Sequence, residues 1–247
     1  MIDTLKRGIQ TFNPLKICRA FTILWRRKLG IRWGTLRKTT PISRVFGLDR
    51  GQAIDRYYIE AFLHRHNNDI QGCVMEIGDP RYTHKFGGKK VTRSEVLHAV
   101  EGNPQATLVG DLVKGEGIPK EIFDCMILTQ TFLCIYDVHA AVANAYAALK
   151  PGGVLLATFP GISQISRYDM DRWGDYWRFT DASARRLFGN VFCVENISVE
   201  THGNVLVACA FLQGLATEEL KPVELDYHDP DYQVVITVRA VKPQRDA

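Results

Sequence analysis

Three stretches of this chain hold residue types whose spacing could do chemistry. Asp169-Met170-Asp171, with Asp175 four residues on, sets two carboxylates one residue apart in a loop after a strand. Mg²⁺ and Mn²⁺ take carboxylate oxygens together with substrate phosphates, so Asp169 and Asp171 are the expected metal ligands. Tyr168, Trp173, Tyr176 and Trp177 flank them and can stack on a base or a sugar face. The same acids can instead cap a helix or pair with Arg167, Arg172 and Arg178. Upstream, Arg44, Arg50 and Arg56 offer guanidinium groups that grip phosphate bidentately, unless nearby acids hold them on the surface.

The third stretch, Val74 to Tyr82, reads as a strand ending in Glu76-Ile77-Gly78. A glycine-rich turn there would let backbone N–H groups approach a bound nucleotide, since glycine reaches positive φ without a steric penalty. Pro80 and Tyr82 stand where further glycines belong, so the loop reads as rebuilt. Arg81, His84, Lys85, Lys89 and Lys90 give it a cationic edge, and His84 is its candidate proton carrier beside Asp175 and Tyr168. His64 and His66, two apart at a helix end, do not share a helical face and are not expected to hold a metal. Thr129-Gln130 and Tyr136-Asp137 follow an apolar strand where a sheet presents substrate-facing groups, although Asp137 also fits a helix N-cap.

These residues need elements to position them. Apolar spacing predicts a helix over residues 53–66 and strands at Cys73–Ile77, Lys90–Ser94, Ala106–Gly110, Phe123–Leu128 and Val154–Phe159. An Ala-rich helix over Val138–Leu149 is expected to stop at Lys150-Pro151-Gly152-Gly153. Strands near Val194–Thr201 and Tyr232–Val241, around a helix over Val205–Leu215, complete the pattern. Apolar strands alternating with helices predict an α/β, Rossmann-like, doubly wound and mostly parallel sheet in a single domain, residues 41–247.

Composition sets limits. At 247 residues, with 46% hydrophobic and 23% charged residues, the chain can bury a substantial core. Ten of its 31 Lys/Arg lie in residues 1–40 against a single acid, Asp3, so the net charge of +4 comes from that segment. Residues 1–40 therefore read as a basic helical extension, amphipathic over 14–29, that docks on a membrane surface or a partner protein or packs on the domain. No motif that reads nucleic acid accompanies the charge. The six cysteines form no C-x-x-C pair and read as buried reduced thiols. With no long apolar run and no signal-peptide pattern, a cytoplasmic protein is expected.

The order of these signatures resembles the class I S-adenosylmethionine-dependent methyltransferase fold over roughly residues 70–160. Glu76-Ile77-Gly78 looks like its first motif, Glu95 falls near the acid that holds ribose hydroxyls, and Gly110-Asp111-Leu112 resembles its adenine-flanking acid. Outside that core, Pro41-Ile42-Ser43-Arg44, Ile54-Asp55-Arg56-Tyr57-Tyr58 and Tyr168 through Thr180 resemble a bacterial family found with glycan genes. They are also similar to flavin-independent GDP-sugar pyranose–furanose mutases that reuse this fold.

Three functions follow from the resemblance. The first is a metal-dependent, flavin-free mutase on a nucleotide sugar, by that likeness a GDP-hexose, as in antibiotic biosynthesis. Asp169 and Asp171 would hold Mn²⁺ or Mg²⁺, Arg44, Arg50 and Arg56 the diphosphate, and Asp175 or His84 would move the proton. The cationic loop favours it, because a sulfonium would be repelled there. The second is an S-adenosylmethionine-dependent O-methyltransferase of a sugar or glycan, with Glu76, Gly78, Glu95 and Asp111 around the cofactor. The third is a non-catalytic nucleotide-binding subunit recruited through residues 1–40.

Overall fold

The computed structural model describes Gly34 and residues 37–244. The chain divides into two units, Met1–Thr39 and Thr40–Ala247, and the fold below belongs to the second. The helix expected over residues 14–29 lies outside the described residues.

Seven strands are present: β1 (Gly72–Ile77), β2 (Val91–His98), β3 (Leu108–Val109), β4 (Phe123–Thr129), β5 (Leu149–Pro160), β6 (Ile197–His202) and β7 (Val235–Val241). They form one sheet in the order β3-β2-β1-β4-β5-β7-β6. β1 lies between β2 and β4, parallel to both, and β4 runs parallel to β5. β7 inserts antiparallel between β5 and β6. The chain leaves β1 toward one side of the sheet and β4 toward the other, which opens a crevice at their C-terminal ends.

Side-chain alternation explains why both faces of the sheet are covered. Cys125 and Ile127 of β4 pack on one face with Val74, Val154 and Leu156, while Met126 and Leu128 pack on the other with Met75, Leu155 and Ala157. Helix α1 (Ile54–Arg65) covers the first face with Ile54, Tyr58, Ile59, Phe62 and Leu63. Helix α2 (Val138–Ala148) covers the second, its small Ala141 and Ala145 letting it sit close. Asp137 is its N-cap, accepting from the Ala140 N–H at 3.0 Å. A short α3 (Arg167–Met170) follows β5. Helix α4 (Asp181–Gly189), which the apolar pattern did not predict, adds Ala184, Leu187 and Phe188 to the second face. Helix α5 (Val205–Gln213) and the short α6 (Pro222–Asp226) complete the first.

Several expectations need correction. β2 is longer than Lys90–Ser94, because Glu95, Val96 and Leu97 are buried and continue the ladder. Lys150 to Gly153 does not trail the Ala-rich helix as a loop: Leu149 already pairs with Phe123, and β5 begins there. Of the described cysteines only Cys73 and Cys125 are buried, whereas Cys193 and Cys209 are exposed. No helix among the described residues is long and apolar enough to cross a membrane.

Candidate functional site

A cleft of about 480 Å³ opens beside the C-terminal ends of β4 and β5. Three separate pieces of chain build it. The first is the segment before α1. Ile42 and Ser43 donate their N–H groups to Gln213 O at 2.8 and 3.0 Å, which fastens this segment to the end of α5. The close approach requires glycine at the α5 C-cap, since a Cβ on Gly214 would lie 2.3 Å from Ser43 O. Ser43 Oγ donates to Asp49 at 2.6 Å, and the resulting turn presents Arg44 and Phe46 to the cleft. The second piece is the end of β4, where Gln130 takes a left-handed conformation (φ 49°) and donates its N–H to Thr158 O. The third is the stretch after β5 from Ser163 to Arg178. Asp175 closes it, accepting from the Ser166 N–H at 2.8 Å and pairing with Arg178 through both oxygens.

Two carboxylates in this cleft stand apart from the rest. Asp55, in the first turn of α1, has a side chain only 14% exposed, yet its Oδ1 is buried with no hydrogen-bond partner. The Arg56 guanidinium lies 4.0 Å from its other oxygen and donates to Tyr82 Oη at 3.3 Å. Burial pushes the Asp55 carboxyl above its ordinary value, against the pull of Arg56. Asp169, half-buried, also lines the cleft. Its backbone N–H donates to Ser166 Oγ, and its carbonyl accepts from Arg172, Trp173 and Gly174.

The structure brings only some of the expected residues together. Arg44, Arg56, Gln130, Tyr168, Asp169 and Asp175 line the cleft. Asp175 is 8% exposed with both oxygens engaged, so it fastens the loop and is not a free proton carrier. Tyr168 is 65% exposed, with the Arg172 guanidinium 3.8 Å above its ring. Arg50 is committed elsewhere, to the Glu219 carboxylate. Asp171 is exposed, 3.9 Å from Arg167, and does not face Asp169 across a shared ion. His84 is exposed in a separate hollow with Asp79, Arg81 and Lys85. Asp55 was missed as a site residue because an acid in a first helical turn ordinarily serves the helix dipole. Its sequence gives no sign that one oxygen would be sealed without a partner.

The β1 loop also differs from its sequence reading. Glu76 is buried and accepts from the Tyr82 N–H (3.1 Å), the Thr83 N–H (2.7 Å) and Thr83 Oγ1 (2.8 Å). Burial pushes its carboxyl up, opposed by those hydrogen bonds. This carboxylate holds the loop in a tight run, a wide turn Thr83–Gly87 and a narrow one Gly88–Lys90, in place of a full helix before β2. Tyr82 is 5% exposed and packs into the α1 side of the core, so it does not fill the space beside Gly78. Gly78 sits at φ 81°, and a Cβ there would meet nothing within 4 Å. Two of the loop cations are paired with acids, Lys85 with Glu60 at 2.8 Å and Arg81 with Asp79 at 3.6 Å. The repulsion expected against a sulfonium is reduced at those two positions.

Neither a protein-family model nor a curated protein matches the chain. Among solved structures, a provisionally assigned methyltransferase from Thermobifida fusca shares 16% identity at a TM-score of 0.50, over 78% of this chain and 84% of that one. A SAM-dependent methyltransferase from Archaeoglobus fulgidus follows at 12% identity and TM-score 0.49, over 76% and 94% of the two chains. Phosphoethanolamine N-methyltransferase 2 of Haemonchus contortus, solved with S-adenosylhomocysteine, matches at 16% and 0.49 over 86% of this chain, which spans 56% of its length.

The fold is the class I methyltransferase fold. In it, Gly78 follows β1 and Thr129 ends β4 beside the crevice, and His98 ends β2 with Trp173 edge-on to its ring at 5.5 Å. Glu95 is not at that crevice. It lies within β2, opposite Met75, with its oxygens bonded to Arg93 and Thr107. Asp111 uses Oδ1 to hold the Val113 N–H at 2.7 Å, which closes its own turn and leaves Oδ2 over.

The metal-dependent sugar-nucleotide mutase expected from sequence is overturned. The solved structures that share the fold and are named above are methyltransferases, and no group of three or more His, Cys, Asp or Glu among the described residues is placed to hold an ion. The supposed ligand pair is split between a cleft residue and an exposed one. The resemblance to GDP-sugar mutases finds no support beyond the fold.

Proposed function

We propose that this chain is an S-adenosylmethionine-dependent methyltransferase. The observation that carries the reading is the unfilled space beside Gly78, at the switch point of a β3-β2-β1-β4-β5-β7-β6 sheet, next to a separate cleft suited to an acceptor. S-adenosylmethionine, when bound, supplies an electrophilic methyl group on a sulfonium.

The chain's own residues divide the remaining work. Gly78 admits the cofactor's approach to the backbone, and Glu76 fixes the loop that follows it. His98 and the unused oxygen of Asp111 are the polar groups left to meet the nucleoside. Thr129 and Gln130 stand where the cofactor crevice meets the cleft, so a group held against Gln130 is within the reacting region. The apolar wall of Leu133, Pro160 and Phe211 excludes water from that junction.

Titration calorimetry with S-adenosylhomocysteine tests the reading. Wild-type protein binds it, and Gly78→Val, which places a β-branched side chain at positive φ and fills the space, weakens binding by at least about tenfold, or about 1.4 kcal/mol. Circular dichroism confirms that the variant is folded. No binding by the wild-type protein, or equal binding by the folded variant, rejects the proposal.

A further inference from the structure

We infer that Asp55 is the base that removes the proton from an acceptor hydroxyl, and that the acceptor is a neutral polyhydroxylated compound of the sugar-ring kind. The inference rests on the methyltransferase reading and deepens it by naming the acceptor and the group that activates it.

Two acids of the cleft differ in what they already do. Asp175 is consumed by Arg178 and the Ser166 N–H. Asp55 is held in a nearly dry position, tied to backbone N–H groups at the head of its own helix but with Oδ1 unmet, an arrangement that costs free energy. A first-turn acid that served only the helix would gain as much from facing solvent. Of the three non-glycine residues at positive φ in the described chain, two, Phe46 and Gln130, also line this cleft, so backbone strain gathers where the orphaned carboxylate lies.

The cleft also selects its ligand. Its charged side chains balance in sign, Arg44, Arg56 and Arg178 against Asp55, Asp169 and Asp175, which favours a neutral guest. Gln130, Ser163, Gln164 and Ser166 offer amide and hydroxyl partners, while Leu133 and Phe211 give an apolar wall. A sugar ring presents both faces at once, hydroxyls at its edge and C–H groups on its plane.

In the reaction the acceptor O–H bond breaks, its proton passes to Asp55, and the oxygen's electron pair forms the new bond to the methyl carbon. The electron pair of the broken carbon–sulfur bond remains on sulfur and discharges its positive charge. The charged and titratable groups around Asp55 are Arg56 on its own helix, Tyr82 from the β1 loop, and Arg44, Asp169, Asp175 and Arg178 around the cleft.

The test uses methyl hexopyranosides as acceptor probes, with carbon-13 NMR of protein labelled at aspartate carboxyls. The resonance absent from Asp55→Asn moves when the glycoside is added to wild-type protein, with no cofactor present. With S-adenosylmethionine, Asp55→Asn lowers kcat by about 10²–10⁴-fold while KM and S-adenosylhomocysteine affinity change little. The wild-type rate falls as pH drops through the raised Asp55 value, and the variant lacks that limb. An unmoved resonance, or equal kcat and pH profile in the two proteins, overturns the inference. Failure of wild-type protein to bind S-adenosylhomocysteine would instead remove the methyltransferase reading, with the NMR shift still judging Asp55 on its own.

Discussion

The acids on the β1–β3 side of the crevice and those of the cleft by β4 and β5 are used in opposite ways. Glu76 and Glu95 each spend their oxygens inside the protein, on loop N–H groups and on Thr107 and Arg93. Across the crevice, Asp55 keeps a buried oxygen unmet, and Gln130 keeps a backbone conformation that L-residues avoid. One side uses buried carboxylates to hold its shape. The other keeps polar groups unsatisfied, at a cost in stability that a ligand can return.

Substitutions that break this contrast should differ in sign as well as in size. Glu76→Ala has the largest effect, since it strands the Tyr82 and Thr83 N–H groups and the Thr83 hydroxyl. A loss of about 3–5 kcal/mol in urea denaturation is expected. A loss under about 1 kcal/mol would show that the loop does not depend on that carboxylate. On the cleft side, Gln130→Gly relieves a left-handed residue worth about 1–2 kcal/mol, less the added chain entropy of glycine. It should therefore stabilise the fold by about 0.5–1 kcal/mol while lowering activity.

The smallest shift, and the only one whose size depends on pH, is that of Asp55→Asn. Because burial raises the folded-state value, the wild-type carboxyl stabilises the fold fully only below its unfolded value near 3.8. That contribution is lost as pH rises through the folded value. The asparagine variant has no proton to lose there, so its Tm should exceed wild type at pH 7 and converge with it in acid. A lower Tm for the variant at neutral pH would mean that the Asp55 charge is welcome where it lies. His202 sets a background to these acid scans. Burial lowers it to about 4, so its stabilising contribution is present above its ordinary 6.5 and fades as pH falls toward that lower value.

The fold was more legible in the sequence than the site. Phe123–Thr129 and the Ala-rich helix could be read because a strand buried on both faces is continuously apolar and a helix against a sheet favours small residues. Helix α4 escaped notice because its apolar positions are few and arginines interrupt them. At the site, Asp169 and Asp171 looked equivalent in sequence. Asp169 lies in the short α3 and Asp171 caps its end, which leaves one in the cleft and the other on the surface. Pro80 and Tyr82 looked like plugs for the glycine cradle, but the Tyr82 ring turns into the core under the hold of Glu76. Asp55 could not be read at all, because its importance lies in a partner it lacks.

The placement of β7 has a consequence for biogenesis. This strand is made after all the others yet sits inside the sheet, and Val234 and Val235 at its start form the back of the cleft. On the ribosome, β5 can pair with β4 on one edge only, and β6 has no neighbour to zip onto, until β7 emerges. A nascent chain can thus gather its first five strands early, but it gains a closed acceptor chamber only after translation has passed β7.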